Sequence, residues 1–256
     1  MILTLDIGNS NIKTALFEGE EMAHYWRIST SLSKTSDEYG ILLMNMFAHE
    51  GVKPEEVEGI VISSVVPKVL DTVRESMLSV FGLEPLIVTC ESDLGLSLEV
   101  PEPHKVGRDR LADAAWAAAH YPLPLVTVDL GTATTFNVVK EGAVFCGGVI
   151  AAGMETGLKA LGAHTAQLPK LELEAPERVI GIDTASCMRS GAVYGAAALV
   201  DGVVRSIEEE LGAPVTLVIT GGGAPYIDRL VRHPHSYDPD MILKGLAYLY
   251  QRNREK

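Results

Sequence analysis

The sequence predicts a protein of two related α/β domains with mixed sheets, and an internal repeat is the first reason. The opening of the chain recurs in residues 125–142, where Asp129 lies 123 residues after Asp6. Two glycines recur at the same offset, and the pairs are Gly8 with Gly131 and Gly19 with Gly142. The second reason is that apolar strand patterns alternate with helical periodicities in both halves of the chain.

Each copy of the repeat predicts a strand, a tight turn and a second strand. Gly8 and Gly131 lack a Cβ where the backbone turns, so main-chain N–H groups can approach an anion such as phosphate. A carboxylate beside phosphate requires a cation between them, so Asp6 and Asp129 indicate a bound metal, directly or through water. Polar side chains of the two turns add donors; they are Asn9, Ser10, Asn11, Thr132, Thr134 and Thr135.

A simpler alternative is that these are two ordinary hairpins, because hairpin turns favour Asp, Gly and Asn for conformational reasons alone. One hairpin by itself would favour that interpretation. The repetition of Asp-x-Gly in one register favours two facing hairpins around one nucleotide.

In the first half, three antiparallel strands are expected, the third at residues 23–29. Apolar residues at helical spacing predict a helix at 34–49, which Gly51 ends. The remaining predicted elements are a buried strand at 57–63, a helix at 66–81, a strand at 85–89 and a loop at 91–106.

A short helix at 111–120 follows Gly107-Arg108-Asp109-Arg110, and Pro122-Leu123-Pro124 then separates domains predicted at 1–121 and 122–256. The second half repeats the three-stranded opening. Its later elements are expected to be a helix at 153–161, irregular chain at 162–176, a helix at 184–211, a strand at 215–220 and a helix at 239–252. His233 and His235 have the spacing of a metal pair, but nearby prolines favour an exposed loop.

The composition excludes several classes of protein. Of 256 residues, 47% are hydrophobic and 21% charged, which is typical of a globular protein, and the net charge of -13 would repel a nucleic-acid backbone. Three widely spaced cysteines indicate neither a disulfide framework nor a zinc site, and favour a reduced, cytoplasmic protein. No export signal or membrane-spanning apolar run is recognisable, so no membrane partner is expected.

Seven ordered motifs run along the chain: DIGNSNIK at 6–13, WRIST at 26–30, SSVVP at 63–67, GRDR at 107–110, VDLGTATTFNVV at 128–139, IGIDTASCMRSGAVYG at 180–195 and TGGGAP at 220–225. Together they resemble the type III pantothenate kinases, a branch of the superfamily of acetate and sugar kinases, Hsp70 and actin. The resemblance implies duplicated actin-like (ribonuclease H-like) domains with an interdomain nucleotide cleft. It also implies ATP-dependent phosphorylation of pantothenate to 4'-phosphopantothenate, the first step of coenzyme A synthesis, by a homodimer that needs K⁺ or NH₄⁺.

The resemblance also implies where ATP and metal ions bind. Asp6 would hold Mg²⁺ on the triphosphate through water, and Asp129 would bind the monovalent cation. Lys13 would lie near the phosphates, although strand alternation leaves solvent exposure as an alternative. The residues implied to contact ATP are Asp6, Ile7, Gly8, Asn9, Ser10, Asn11, Ile12, Lys13 and Thr132.

For the acceptor, the resemblance implies Asp109 as the general base, although a carboxylate at a helix start often serves only as a cap. Arg110 would pair with the pantothenate carboxylate; a salt bridge to Asp113 is the alternative. Thr184 would contact pantothenate and, by position, also looks like the N-cap of the helix at 184–211. The implied substrate-binding residues are Gly107, Arg108, Asp109, Arg110 and Thr184.

Three positions depart from the family pattern: Val100 replaces a frequent Tyr, Ser10 a Thr and Asn137 an Asp. Val100 removes an aromatic hydroxyl, which puts substrate affinity in doubt. Two alternative functions belong to the same fold: another small-molecule kinase, and an actin-like or chaperone protein. The length of the chain and the GRDR motif argue against both. A third rival is a transcriptional accessory factor, against which the acidic charge and the presence of Asp109 both argue.

Overall fold

A computed structural model describes residues 1–165 and 167–254 and divides them into two compact units. The first unit contains Met1–Leu96, Pro101–Ala119 and the described residues from Met241 onward; the second contains Ser97–Val100 and the described part of His120–Asp240. The domain limits of 1–121 and 122–256 stay a prediction. The units divide close to that boundary but place the last helix in the first unit. In the part of the chain that the structure describes, no helix has the length and apolarity needed to cross a membrane.

The first unit is built on a mixed five-stranded sheet of order β3-β2-β1-β4-β5. Its strands are β1 (Ile2–Ile7), β2 (Asn11–Glu18), β3 (Glu21–Ser29), β4 (Gly59–Ser64) and β5 (Leu86–Ile87). The first three are antiparallel neighbours, as the sequence predicts, whereas β4 and β5 run parallel to β1.

Four helices accompany this sheet: α1 (Ser36–Glu50), α2 (Pro67–Phe81), α3 (Arg108–His120) and α7 (Met241–Asn253). Alternate residues of β1 pack with the apolar faces of α1 and α2 in one buried cluster that includes Leu5, Phe47 and Met77. The opposite face of the sheet contacts α7. Gly245 lets α7 approach α3 closely, because a Cβ there would lie 2.5 Å from the carbonyl oxygen of Ala112.

The second unit contains a mixed six-stranded sheet of order β11-β10-β7-β8-β9-β6. Its strands are β6 (Ser97–Leu98), β7 (Leu125–Leu130), β8 (Ala133–Lys140), β9 (Val144–Ala152), β10 (Thr216–Thr220) and β11 (His235–Tyr237). Its helices are α4 (Met154–His164), α5 (Thr184–Leu211) and α6 (Ala224–Ile227). Two mixed sheets with helices confirm the predicted α/β class.

Two stretches expected to be loops contribute edge strands instead. Residues 97–98, within the predicted loop at 91–106, form β6 and run parallel to β9. Of the two histidines set aside as an exposed loop, His235 begins β11 and His233 lies in the loop before it. Both are only partly exposed, so the expectation is wrong in exposure for both and in secondary structure for His235. His233 pairs with Glu208 at 3.1 Å and His235 with Asp228 at 3.3 Å, which ties the edge strand to its neighbours.

The strands of the two units repeat each other, but one turn differs in length and shifts the following strand out of the constant sequence offset between the copies. β1 and β7 have the same length and the same pattern of burial, and β3 and β9 also correspond along their whole length. The turn after β1 comprises Gly8, Asn9 and Ser10, here named the first corner; the turn after β7 comprises only Gly131 and Thr132, the second corner. A single register for the whole repeat is therefore wrong for β8, which lies one residue early.

Candidate active site

The first corner is a tight turn whose polar side chains are open to solvent. Its closing hydrogen bond runs from the backbone N–H of Gly8 to the carbonyl oxygen of Asn11 at 3.0 Å. A Cβ on Gly8 would lie 3.1 Å from that same oxygen, which explains why glycine occupies the position. Asn9, Ser10 and Asn11 are exposed, so their polar groups face solvent where a ligand can reach them.

Asp6 lies one residue before the end of β1, in a row of polar side chains that crosses the sheet. Its cross-strand neighbours are Lys13 on β2 and Ser63 on β4. Directly opposed residues of neighbouring strands project from the same face, so these three side chains share one face. Lys13 is half-buried, so full solvent exposure does not describe it.

Asp129 occupies the corresponding place before the second corner, but its surroundings differ. The one-residue slip puts Thr135 opposite it on β8, and Thr220 lies opposite it on β10. Hydroxyl groups therefore flank Asp129, where Asp6 has a lysine on one side. Oxygen ligands without a competing ammonium group suit a hard cation better.

A glycine turn after β10 makes room for the Asp129 carboxylate. Gly221 has φ 93°, and a Cβ there would lie 2.1 Å from Oδ1 of Asp129 and 2.6 Å from the backbone nitrogen of Leu130. Gly223 donates its N–H to the carbonyl oxygen of Leu130 at 2.8 Å. The turn is thereby held against the end of β7, with the carboxylate in the space that a side chain would fill. This cradle, formed by Asp129, Thr135, Thr220 and Gly221, presents carboxylate and threonine oxygens, which are ligands that a hard cation prefers.

Asp109 is the second residue of α3 and is half-buried. Its Oδ1 accepts the backbone N–H of Arg110 at 2.9 Å, which satisfies one N–H group of the first helical turn, although Asp109 lies inside the helix and is not its N-cap. A Cβ on Gly107 would lie 2.4 Å from that Oδ1, so glycine is needed for the carboxylate to adopt this position. The arrangement fixes the side chain rather than leaving it free to rotate.

Arg110 is half-buried beside this carboxylate. Burial lowers the pKa of its guanidinium group, and the negative charge of Asp109 partly opposes that effect. A partly desolvated guanidinium group next to a fixed carboxylate can bind a small organic anion with two parallel hydrogen bonds. Gly107 and Arg108, the other residues of the motif, are also half-buried.

Thr184 is the first residue of α5 and is exposed, but it is not the cap. Asp183 caps the helix: its side chain accepts the backbone N–H of Ser186 at 2.7 Å, and the Ser186 hydroxyl group receives the N–H of Asp183 at 3.1 Å. The N-cap interpretation of Thr184 is therefore wrong, because the residue before it forms a complete capping box. These hydrogen bonds, first that of the Ser186 backbone, lower the pKa of Asp183.

The candidate residues fall into two sets. The first unit brings together the first corner, Asp6 and Lys13 at one sheet, and places Asp109 and Arg110 on α3. The second unit brings together the second corner, Asp129 and the glycine turn, and places Thr184 on α5. Within residues 1–165 and 167–254, no three His, Cys, Asp or Glu side chains cluster as a metal site. A divalent ion at this kind of site usually keeps several waters and phosphate oxygens as ligands, so one carboxylate suffices.

The sequence did not reveal the residues that hydrogen-bond to the corner carbonyl groups or make room for the Asp129 carboxylate. Gly221 makes room for Asp129, and Thr30, Gly153 and Thr156 donate hydrogen bonds to corner carbonyl groups. Thr30 and Gly221 lie inside the WRIST and TGGGAP motifs, so the motifs gave their location but not their contacts.

Comparison with known proteins identifies the family. The family model of the type III pantothenate kinases matches residues 2–206. A type III pantothenate kinase of Brevibacillus brevis is 41% identical over 254 residues, which cover 99% of this chain and 100% of that protein.

Solved structures agree on the fold. A conserved protein of Campylobacter jejuni, described as a candidate transcriptional activator of the Baf family, superposes with a TM-score of 0.59 at 18% identity, covering 99% of this chain and 100% of that one. A candidate N-acetylmannosamine kinase of Listeria monocytogenes superposes with a TM-score of 0.52 at 13% identity, covering 100% and 99%. Identities this low show the actin-like fold of the sugar kinases and nothing further. The match over most of the sequence and the full-length relative show that this chain belongs to the type III pantothenate kinase family.

Proposed function

We propose that the chain transfers the γ-phosphoryl group of ATP to the primary hydroxyl group of pantothenate, giving 4'-phosphopantothenate for coenzyme A synthesis. Membership of the family carries this function. The observation that best supports it in the structure is the pair of glycine corners, each directly preceded by a strand that carries an aspartate. A corner of this kind provides N–H donors for phosphate oxygens, and its aspartate provides a carboxylate for a cation.

At the first corner, backbone N–H groups other than that of Gly8, which closes the turn, bind phosphate oxygens together with the polar side chains of Asn9, Ser10 and Asn11. Lys13 adds a positive charge on the same face as Asp6. Asp6 would hold a Mg²⁺ ion through water, and the ion would neutralise negative charge on the phosphates. At the second corner, Thr132 contributes a further phosphate contact from its exposed position.

Pantothenate is bound and aimed by the residues at the start of α3. Arg110 pairs with its carboxylate, and Gly107 and Arg108 line the same turn. Asp109 accepts a hydrogen bond from the attacking hydroxyl group and then its proton. Because phosphoryl transfer passes through a loose transition state, orienting the hydroxyl group in line contributes as much as removing the proton. Thr184 supplies a further hydroxyl contact to pantothenate, and Val100 leaves the aromatic contact of other members unmade.

Asp129 is proposed as the ligand of a monovalent cation, K⁺ or NH₄⁺. The support is its position among threonine hydroxyl groups, in the cradle that Gly221 leaves open. A singly charged ion is held by a few oxygens and needs no cluster of carboxylates. The homodimer and the cytoplasmic location inferred from the sequence also stay proposals.

The test is formation of phosphopantothenate from ATP by the purified protein, with and without potassium, compared with Asp109→Asn. Loss of a positioned base typically costs about 10²–10⁴-fold in rate, and a fall of that size in kcat is expected. Asp37→Asn is the matched control, because Asp37 is also the second residue of a helix, α1, is exposed, and belongs to none of the seven motifs. Equal turnover by Asp109→Asn and Asp37→Asn would remove Asp109 from its role. A panel of sugars and acetate as acceptors tests the rival kinase activities.

A further inference from the structure

A threonine hydroxyl group holds the first corner from behind. Oγ1 of Thr30, the residue directly after β3, donates to the carbonyl oxygen of Gly8 at 2.7 Å. The backbone N–H of the same threonine donates to the carbonyl oxygen of Ser10 at 3.1 Å. Thr30 thus engages the first and last carbonyl groups of the three-residue corner.

The second corner is held in a corresponding way. Gly153, the residue directly after β9, donates its N–H to the carbonyl oxygen of Thr132 at 3.1 Å. Oγ1 of Thr156 donates to the same oxygen at 2.6 Å. The close approach needs glycine at position 153, because a Cβ there would lie 2.2 Å from the carbonyl oxygen of Gly131. The N–H donor occupies the same place after the third strand in both units, whereas the hydroxyl donor has moved three residues along the chain.

The orientation of corner carbonyl groups matters for anion binding. Each peptide unit carries a donor N–H and an acceptor C=O that point in nearly opposite directions. A carbonyl oxygen turned toward a phosphate would repel it, whereas the N–H groups attract it. Hydrogen bonds that hold the carbonyl oxygens against the protein therefore keep the donors available for the ligand.

From these contacts we propose that Thr30 and Thr156 are positioning residues for the phosphates of ATP, each acting through the corner carbonyl group that its hydroxyl binds. The proposal rests on the proposed function of the corners as phosphate sites. Neither threonine has to touch the nucleotide. Each threonine holds a turn in the conformation in which the N–H groups and polar side chains of that turn face the ligand. The turn is therefore already ordered when ATP binds, and binding loses less conformational entropy.

Valine substitution removes the hydroxyl group and keeps the shape of the side chain, so Thr30→Val and Thr156→Val are the test variants. Thr30→Ser and Thr156→Ser restore the donor. Thr72→Val is the matched control, since the Thr72 hydroxyl group also donates to a carbonyl oxygen, that of Lys68 at 3.2 Å, but on α2. The measurement is the Kd of Mg·ATP by calorimetric titration without pantothenate, together with the pantothenate KM at saturating ATP.

Each valine variant is expected to raise the Kd of Mg·ATP about 3- to 10-fold, the range that loss of one hydrogen bond produces. The serine variants and Thr72→Val should stay within about twofold of the parent protein, and so should every pantothenate KM. Unchanged Mg·ATP binding in both valine variants would overturn the proposal. A loss that follows only the unfolded fraction, measured by circular dichroism at the titration temperature, would also overturn it, since the threonines would then be merely structural.

Gly8→Ala separates this inference from the function on which it rests. Its new Cβ would lie 3.1 Å from the carbonyl oxygen of Asn11 and disturb the first corner directly. Weaker Mg·ATP binding by Gly8→Ala together with normal binding by Thr30→Val would refute the positioning role but keep the corner as the phosphate site. Normal binding by both variants would instead place the phosphates elsewhere and remove the proposed site.

Discussion

Gly221→Ala is expected to destabilise the second unit strongly and, if Asp129 binds the monovalent cation as proposed, to weaken activation by potassium. The residue has φ 93°, a conformation that costs a side-chain-bearing residue about 1–3 kcal/mol. The new Cβ would also lie 2.1 Å from Oδ1 of Asp129 and 2.6 Å from the nitrogen of Leu130. Backbone atoms cannot move cheaply, and overpacking of this kind costs about 1–3 kcal/mol more. The sum is a loss of about 2–6 kcal/mol in the free energy of unfolding.

The neighbouring glycine provides the control. A Cβ on Gly222 would meet nothing within 4 Å, and the residue is exposed. Gly222→Ala should therefore change the free energy of unfolding by no more than about 0.5 kcal/mol. Urea unfolding gives the stabilities, and initial rates over a potassium series give the cation response. Equal stability of the two variants would refute the steric argument. A normal potassium response in a destabilised Gly221→Ala would refute the link between the cradle and the cation.

Asp183→Ala should lower the stability of the protein at pH 7, and the difference should shrink in acid. Hydrogen bonds from Ser186 lower the pKa of Asp183 in the folded protein. The stabilising effect of the carboxylate is therefore present above the unfolded-state pKa and is lost as the pH falls through the folded-state pKa. A difference in urea midpoints that does not change with pH would contradict this. Arg110→Lys should raise the pantothenate KM about 10- to 100-fold and leave the ATP KM within about twofold, because a planar bidentate donor is replaced by a point charge. Equal effects on both constants in steady-state kinetics would argue against a pantothenate contact. Ala143→Gly should raise the free energy of unfolding, measured by urea titration, by up to about 1 kcal/mol. Ala143 has φ 57°, and glycine adopts that conformation without strain. A loss of stability would show that the Ala143 side chain is needed there.

Long elements with strong periodicity were predictable from the sequence. The helix expected at 184–211 is α5 within the same limits, and the helix expected at 66–81 begins one residue later at Pro67. The short edge strands β6 and β11 were not predictable, because two or three residues show no periodicity and their pairing is decided by neighbours distant in sequence.

The identity of the candidate site residues stays a prediction from the sequence, and the structure adds details that the sequence did not reveal. The motifs located the two corners and Asp109, yet the constant offset of the repeat concealed a one-residue slip. That slip decides that Lys13 faces Asp6 whereas Thr135 faces Asp129. The N-cap of α5 could have been predicted from the sequence. Asp183 is followed three residues later by Ser186, which can complete a capping box, whereas Thr184 is followed three residues later by a cysteine, which cannot.

The second corner is one residue shorter than the first, and the next turn compensates for the difference. Three residues join β8 and β9, whereas two join β2 and β3. Ala143, in the longer turn, is the one non-glycine residue at positive φ in the described chain. Because the two differences cancel, β3 and β9 correspond residue by residue over their whole length. A hydroxyl group therefore lies opposite Asp129, where an ammonium group lies opposite Asp6, without any displacement of the third strand of the repeat.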